Sequence, residues 1–221
     1  MADDPGADDE RSGADGDAEP HGGEDPAAWW DEVYERDDSP PWDIGRPQPA
    51  FADLAESGAV EGRVLDAGSG TGTHALWAAE RGHPVVGADV SEAAVERARA
   101  AADDRGLDAA FVVADALDLP ADLGPFDTVL DSGLFHAFES DQRDAYADGL
   151  AAVVRPGGRV FVLGFGEGAP EDWGPNPFAP ADVRAAFGEG WTVRDISAVE
   201  FETREASVPG LLGVVERDAH S

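Results

Sequence analysis

One nine-residue stretch constrains this chain more than any other: Val64-Leu65-Asp66-Ala67-Gly68-Ser69-Gly70-Thr71-Gly72. A short apolar run carries an acid near its end. Three glycines follow at alternate positions, and then Thr73–Arg81 reads as a helix stopped by Gly82. Glycines in such a turn tolerate positive φ and let a ligand approach the backbone. The spacing is not the dinucleotide pattern G-x-G-x-x-G, because Thr73 stands where the third glycine would be. It is not a P-loop either, since no Gly-Lys-Ser/Thr follows. The chain has no Lys at all: its 15 cations are all Arg.

Strands and helices alternate on either side of this turn. Arg63–Ala67 is predicted as the first strand and Pro84–Asp89 as the second. Ser91 can cap a helix running to about Arg105, where Gly106 ends it. Ala109–Val113 and Phe126–Asp131 read as the third and fourth strands. Asp141–Val154 reads as a helix with Tyr146, Leu150, Val153 and Val154 on one stripe. Pro156-Gly157-Gly158 is predicted as a turn, Arg159–Phe165 as a fifth strand and Pro180–Phe187 as a helix. Trp191–Phe201 and Gly210–Glu216 suit a closing antiparallel pair. This alternation implies an α/β fold with a mostly parallel sheet covered on both faces. In such sheets ligands bind beyond the carboxyl ends of the strands. Asp89 lies there, 17 residues after Gly72, and an acid at that place can chelate ribose hydroxyls.

Charge narrows the function classes. There are 47 acidic and 15 basic residues, a formal net charge of −32. Residues 1–25 hold ten acids and one Arg, with no apolar side chain beyond Ala, Pro and Met1, so they are expected to be a disordered acidic tail. The acidity continues through the remaining chain, and Asp outnumbers Glu. A charge this large repels itself at low salt, whereas at about 1 M salt the Debye length falls to about 3 Å. The composition resembles proteins of salt-accumulating haloarchaea. Nucleic acid is not an expected partner, because a phosphate-backbone binder needs cationic surface. With no Cys, disulfides, thiolate metal sites and cysteine nucleophiles are excluded, and no metal site is expected. No apolar run approaches the length of a spanning helix, and the acidic start is unlike a signal peptide. A cytoplasmic protein without a membrane partner is expected, as a monomer or weak homodimer.

Taken together, Asp66-x-Gly68-x-Gly70-x-Gly72, Asp89 and the Asp115-Ala116 pair after the third strand resemble the motifs of class I S-adenosylmethionine-dependent methyltransferases. The resemblance covers roughly residues 29–216. It implies a Rossmann-like seven-stranded sheet of order 3-2-1-4-5-7-6, with strand 7 antiparallel and helices on both faces. It also implies S-adenosylmethionine as the cofactor. Gly68, Ser69, Gly70, Thr71 and Gly72 would lie along its amino-acid end, Asp89 at its ribose, and Asp115 and Ala116 at its adenine, with Val90 packed on the ring. The ligand is cationic and has no phosphate, so it needs no basic pocket.

Trp30-Asp31-Glu32-x-Tyr34, followed by Pro41-Trp42-Asp43-x-Gly45-Arg46-Pro47-x-Pro49, resembles the opening of the thiopurine methyltransferase-like branch, which includes halide, thiol and tellurite-resistance enzymes. The implied domain runs over residues 26–221, with 26–60 as a helical Trp-Pro lid. Trp42 would be an apolar wall and Arg46 a partner for the methionine carboxylate. Equally, these aromatic and proline residues suit simple packing of the first helix.

Beyond the fourth strand, Asp131 and His136 are the polar candidates to face the transferring methyl. His136 has a free pKa suited to accepting a proton from an acidic nucleophile, but it equally suits a packed structural role between Phe135 and Phe138. Phe165 and Trp173, on the long loop after the fifth strand, are expected to help close the pocket. The expected reaction is methyl transfer to a small acceptor: a thiol, halide, chalcogen or other small metabolite. A non-catalytic cofactor binder and, with less support from the glycine spacing, an NAD-dependent oxidoreductase remain as alternatives. If the acidity is an adaptation to salt, the thermal midpoint of unfolding rises steadily as KCl is raised from low to molar concentration. A flat response refutes that reading.

Overall fold

Val64–Ala67 (β1) and Val85–Asp89 (β2) are buried at every position, as strands covered on both faces must be. The computed structural model describes residues 25–36, 39–170 and 177–219. The expected acidic tail falls almost wholly outside them, as does Trp173. Five more strands complete the sheet: Ala109–Val113 (β3), Phe126–Ser132 (β4), Val154–Phe165 (β5), Trp191–Glu202 (β6) and Ser207–Arg217 (β7). Their spatial order is β3-β2-β1-β4-β5-β7-β6, the order that the family resemblance implies. β7 runs antiparallel to both neighbours, and the other pairs are parallel. β6 therefore points the same way as β1–β5 and brings its last residues to the same edge.

Among the described residues, six α-helices accompany this sheet: Pro26–Glu35 (α1), Pro49–Glu56 (α2), Thr73–Glu80 (α3), Glu92–Arg105 (α4), Ser140–Val153 (α5) and Pro180–Ala186 (α6). α4 follows its sequence signals closely. Ser91 Oγ accepts from Ala94 N at 3.0 Å, and Gly106 ends the helix with φ +64°. α5 and α6 contribute to one core with Leu65, Phe126 and Val160, while Phe51, Leu76, Trp77 and Val95 of α2–α4 build the other with Val64, Leu130 and Phe161. Phe111 on β3 wedges between two glycines. A Cβ on Gly72 would lie 2.8 Å from its ring, and one on Gly87 2.5 Å. Gly87 is thus demanded by packing on the middle of β2, a requirement that no local sequence pattern announces.

The fifth strand differs from its expectation. It begins at Val154, which pairs with Phe126, and the next pairing is Thr128 with Arg159. The Pro156-Gly157-Gly158 turn is an excursion inside the strand, not a boundary before it. Val154 accordingly belongs to β5 instead of the α5 stripe.

α1 and residues 39–48 form a strap at the carboxyl edge of the sheet. Asp25, placed by sequence in the tail, caps α1 through Ala27 N. Asp31 Oδ1 accepts from Ser91 Oγ at 2.6 Å and Ala93 N at 3.1 Å, so α1 adds a second cap to α4. Asp43 accepts from Thr71 Oγ1 at 2.6 Å and Thr73 Oγ1 at 2.9 Å. The Gln48 side chain exchanges two hydrogen bonds with the Glu202 backbone, Arg46 pairs with Glu202, and Arg204 donates to the Pro41 and Asp43 carbonyls. This strap is fastened to α4, to the glycine loop and to the β6–β7 hairpin.

Asp66 holds the base of the glycine loop. Its Oδ2 accepts from Ala75 N at 2.9 Å in the first turn of α3, and its carboxyl is almost wholly enclosed. Burial pushes its pKa up to about 8, and the neighbouring Asp89 and Asp131 add to that. The unfolded chain releases this proton near pH 4, so the folded state binds it more tightly. Its contribution to stability is whole below pH 4 and is lost as pH rises through 8. Asp66→Asn keeps an acceptor for Ala75 and removes the charge. Its denaturant midpoint should fall less than that of the parent between pH 5 and 8, with a difference of about 1 kcal/mol or more.

Candidate active site

The carboxyl ends of β1, β2 and β4 open into a cavity of about 660 Å³ roofed by the strap. The glycine loop forms its floor, with Gly68, Ser69, Gly70 and Thr71 lining it. Gly68 and Gly70 take φ of +66° and +50°, so the loop needs glycine at both places. Asp89 fixes the loop from the adjacent strand end. Its Oδ2 accepts from Gly70 N at 2.7 Å and its Oδ1 from Ser91 N at 2.9 Å. Burial pushes its carboxyl pKa up, while the backbone donors oppose that shift. Val90, Asp115, Ala116 and Leu117 continue the wall at the ends of β2 and β3. Asp115 is exposed, and its Oδ1 accepts from Leu117 N at 2.9 Å.

The opposite end of the cavity is aromatic. Trp42 meets Trp30 edge to face at 5.9 Å between ring centres, and Ile44, Phe165 and Phe201 complete the apolar surface. His136 packs against Phe165 at 4.9 Å between ring centres, and its Nδ1 accepts from Phe165 N at 3.0 Å. His74, in the first turn of α3, faces the same cavity with Nε2 accepting from Gln48 N at 3.3 Å. Burial lowers the pKa of His74 to about 4 and that of His136 to about 3, the latter with help from the Arg143 cation. Both rings are neutral at physiological pH.

Three expected site residues behave differently from the rest. Gly72 and Asp66 lie beneath the loop and do not line the cavity. Asp131, expected at the transferring methyl, does not reach it either. Its carboxyl is enclosed, accepting from Leu134 N, Phe135 N and Tyr146 Oη, and it pins the turn after β4. Burial pushes its pKa up to about 7, against those three donors. Arg46 reaches the cavity, but its guanidinium is paired with Glu202.

Asp43, His74, Tyr34 and Phe201 line the cavity without having been given a site role from sequence, although Tyr34 and Asp43 belong to the N-terminal motif. Asp43 had a local signal, since its Oδ1 accepts from Gly45 N as Asx-turns do. Burial pushes its pKa up, but bonds from Thr71, Gly45 and Thr73 and the Arg204 charge hold it below the usual range. It is a carboxylate beside the glycine loop. Phe201 had no local signal, because only the direction of β6 brings it here.

S-adenosylmethionine fits this lining. Ser69 Oγ is buried at the loop, 2.8 Å from where a Cβ of Gly87 would stand, and has no hydrogen-bond partner among the described residues. Among the described residues, Arg46 is the only Lys or Arg in the lining, which suits a ligand that carries a cation and no phosphate.

A family pattern described as "Methyltransferase domain" matches residues 64–158. The chain is 41% identical over 161 residues to a 2-heptyl-1-hydroxyquinolin-4(1H)-one methyltransferase of Mycobacteroides abscessus, covering 72% of this chain and 71% of that protein. It is 34% identical over 140 residues to a probable thiol methyltransferase of Arabidopsis thaliana, covering 62% of this chain and 61% of that one. A solved structure described under the conversion of a disulfide bond into a thioacetal group during echinomycin biosynthesis superposes with a TM-score of 0.81 at 37% identity. The superposition covers 88% of this chain and 93% of the other. Over about half the chain, similarity extends to an Escherichia coli tRNA 5-carboxymethoxyuridine methyltransferase, so similarity by itself does not exclude a nucleic-acid acceptor.

Gly70→Val sends its new methyl groups at Tyr34, whose Oη lies only 2.6 Å from where a Cβ would stand. Asp89→Ala frees the Gly70 amide of the loop and the Ser91 amide at the start of α4. Each change should weaken S-adenosylmethionine binding by calorimetry at least about 10-fold, the worth of one hydrogen bond to a charged group. Undiminished binding by both variants removes the site from this loop.

Proposed function

Since the chain belongs to the S-adenosylmethionine-dependent methyltransferases, we infer that its acceptor is a small, largely apolar molecule presenting a hydroxyl, N-hydroxyl or thiol. The cavity carries this reading: one continuous space joins the glycine loop and Asp89 to an aromatic chamber of Trp42, Ile44, Phe165 and Phe201. The bound cofactor supplies a methyl group on a sulfonium, already activated toward nucleophiles. The chain's own work is to hold and enclose. Asp89 and the glycine loop address the polar end, the aromatic residues exclude water, and the strap covers both. Alignment of this kind can supply about 7–11 kcal/mol of rate enhancement without an acid or base catalyst. The relatives named for a hydroxyquinolinone and a thiol point to acceptors of this size and polarity.

The Trp30–Pro49 strap supports placing the chain in the thiopurine methyltransferase-like branch. The Lys-free acidity supports a salt-adapted cytoplasmic enzyme of haloarchaeal type, and the net charge of −32 disfavours a polynucleotide acceptor. Residues 1–24 suit an acidic extension outside the catalytic unit, whereas Asp25 belongs to it as the cap of α1, and the enzyme is read as a monomer or weak homodimer.

The test is release of S-adenosylhomocysteine in molar KCl, with thiols, halides, N-hydroxyquinolones, phenols and tRNA offered separately. Turnover is expected with an aromatic thiol, N-hydroxyl or phenol and not with tRNA. Turnover with tRNA alone, or tight cofactor binding with no turnover on any acceptor, overturns the proposal.

A further inference from the structure

The strongest unassigned feature is the way His136 is held. A neutral imidazole has one N–H and one bare nitrogen. In His136 the bare nitrogen is Nδ1, because it accepts from Phe165 N at 3.0 Å. The ring proton is therefore on Nε2. Nδ1 is also walled in: a Cβ on Gly164 would stand 2.8 Å from it and 2.9 Å from the Phe178 ring. Nε2 lies on the other edge, 3.4 Å from where a Cβ of Gly133 would be. It has no hydrogen-bond partner among the described residues, and both His136 and Gly133 line the cavity. His136 has no nitrogen with which to take a proton from an acceptor. Nε2 already carries one, and Nδ1 faces an amide donor in a closed space.

The surroundings reinforce this. From α5, Arg143 places a cation near the ring and disfavours a second proton. β5 presents Gly164 and Phe165, β6 presents Phe201, and Phe178 precedes α6; none of these titrates. His74 is committed the same way, with Nε2 accepting from Gln48 N.

We propose that His136 is a positioning residue that donates its Nε2–H to the acceptor, and that the acceptor is bound as its conjugate base: a thiolate, N-oxide anion or phenolate of an acidic aromatic molecule. This rests on the methyl-transfer reading above. The proton leaves to solvent before binding. In the site, the acceptor anion forms its bond to the methyl carbon as the carbon–sulfonium bond breaks and its electron pair returns to sulfur. An anion and a cation become two neutral products, and no proton is transferred to the protein. The chemistry selects acceptors that ionise easily over aliphatic alcohols, which do not.

Three measurements test this. Long-range nitrogen–proton NMR of histidine-labelled protein, assigned with His136→Gln, should show His136 neutral with its proton on Nε2 from pH 5 to 9. A ring protonated on Nδ1, or titrating in that range, overturns the proposal without any turnover being needed. In kcat/KM against pH for a series of substituted thiophenols, the inflection should track each thiol's own pKa. One inflection common to the whole series overturns it. His136→Gln, which keeps an N–H donor but no base, should retain activity within about 10-fold. His136→Leu should raise the KM for thiophenolate roughly 10- to 100-fold, as loss of a hydrogen bond to a charged group does. Both should bind S-adenosylmethionine with unchanged Kd, which shows that they fold. A His136→Gln variant as impaired as a lost general base, roughly 100-fold or more, overturns the proposal. Turnover with a shared inflection defeats this inference alone, whereas intact cofactor binding with no methylation of any acidic thiol or N-hydroxyl acceptor defeats the acceptor reading with it.

Discussion

The carboxylate of Asp89 ties together the parts on which this molecule depends. It ends one strand, accepts from the glycine loop of the neighbouring strand through Gly70 N, and accepts from the first turn of α4 through Ser91 N. A flexible turn of alternating glycines has no reason to hold one shape alone. Hydrogen bonds to a buried carboxyl group supply that reason. Asp66 does the same from below, holding the start of α3. Two acids of adjacent strands thus fix the loop from two sides, at the cost of enclosing carboxyl groups whose pKa values burial pushes up. A cationic ligand over the loop offsets that cost, whereas a phosphate ligand would add to it.

The same reasoning separates the acids of this chain by task. Most stand in water and act together through the net charge. Asp66 and Asp131 are enclosed, with their pKa values pushed up by burial, and brace turns. Asp31 and Asp43 fasten the strap, and Asp43 stays ionised because hydroxyl and amide donors and a nearby Arg outweigh its burial. Composition alone treats these residues as equivalent; only their partners distinguish them.

The βα alternation and the loop could be read because each rests on short-range pattern: apolar runs, alternate glycines, a Ser cap and a Gly stop; the sheet order came only with the family resemblance that the glycine loop and strand-end acids carry. The start of β5 could not, because Pro156-Gly157-Gly158 looks locally like a boundary and only pairing with Phe126 and Thr128 carries the strand past it. Gly87 looked like an ordinary strand residue until Phe111 from the next strand was seen to occupy its missing side chain. The position of His136 in the chain made it a candidate, but its chemistry depends on which ring nitrogen meets Phe165 N. That is fixed by a residue 29 positions away. Asp131 shows the opposite failure: it holds the right place on the strand, but its side chain turns to Tyr146 instead of the cavity.

The strap is made from the beginning of the chain and fastened to its end. Gln48 bonds Glu202 across 154 positions, and Arg204 reaches Asp43 across 161. Contacts of such separation form late, after nearer ones have reduced the loop to be closed. A chain emerging from the ribosome therefore builds its glycine loop and central strands while the hairpin that receives the strap is still unmade. The anchor of the roof on the hairpin is the last of its fastenings to become available, after those on Ser91, Thr71 and Thr73. A chain halted before β7 holds every element that floors the cavity and lacks the hairpin that keeps it covered.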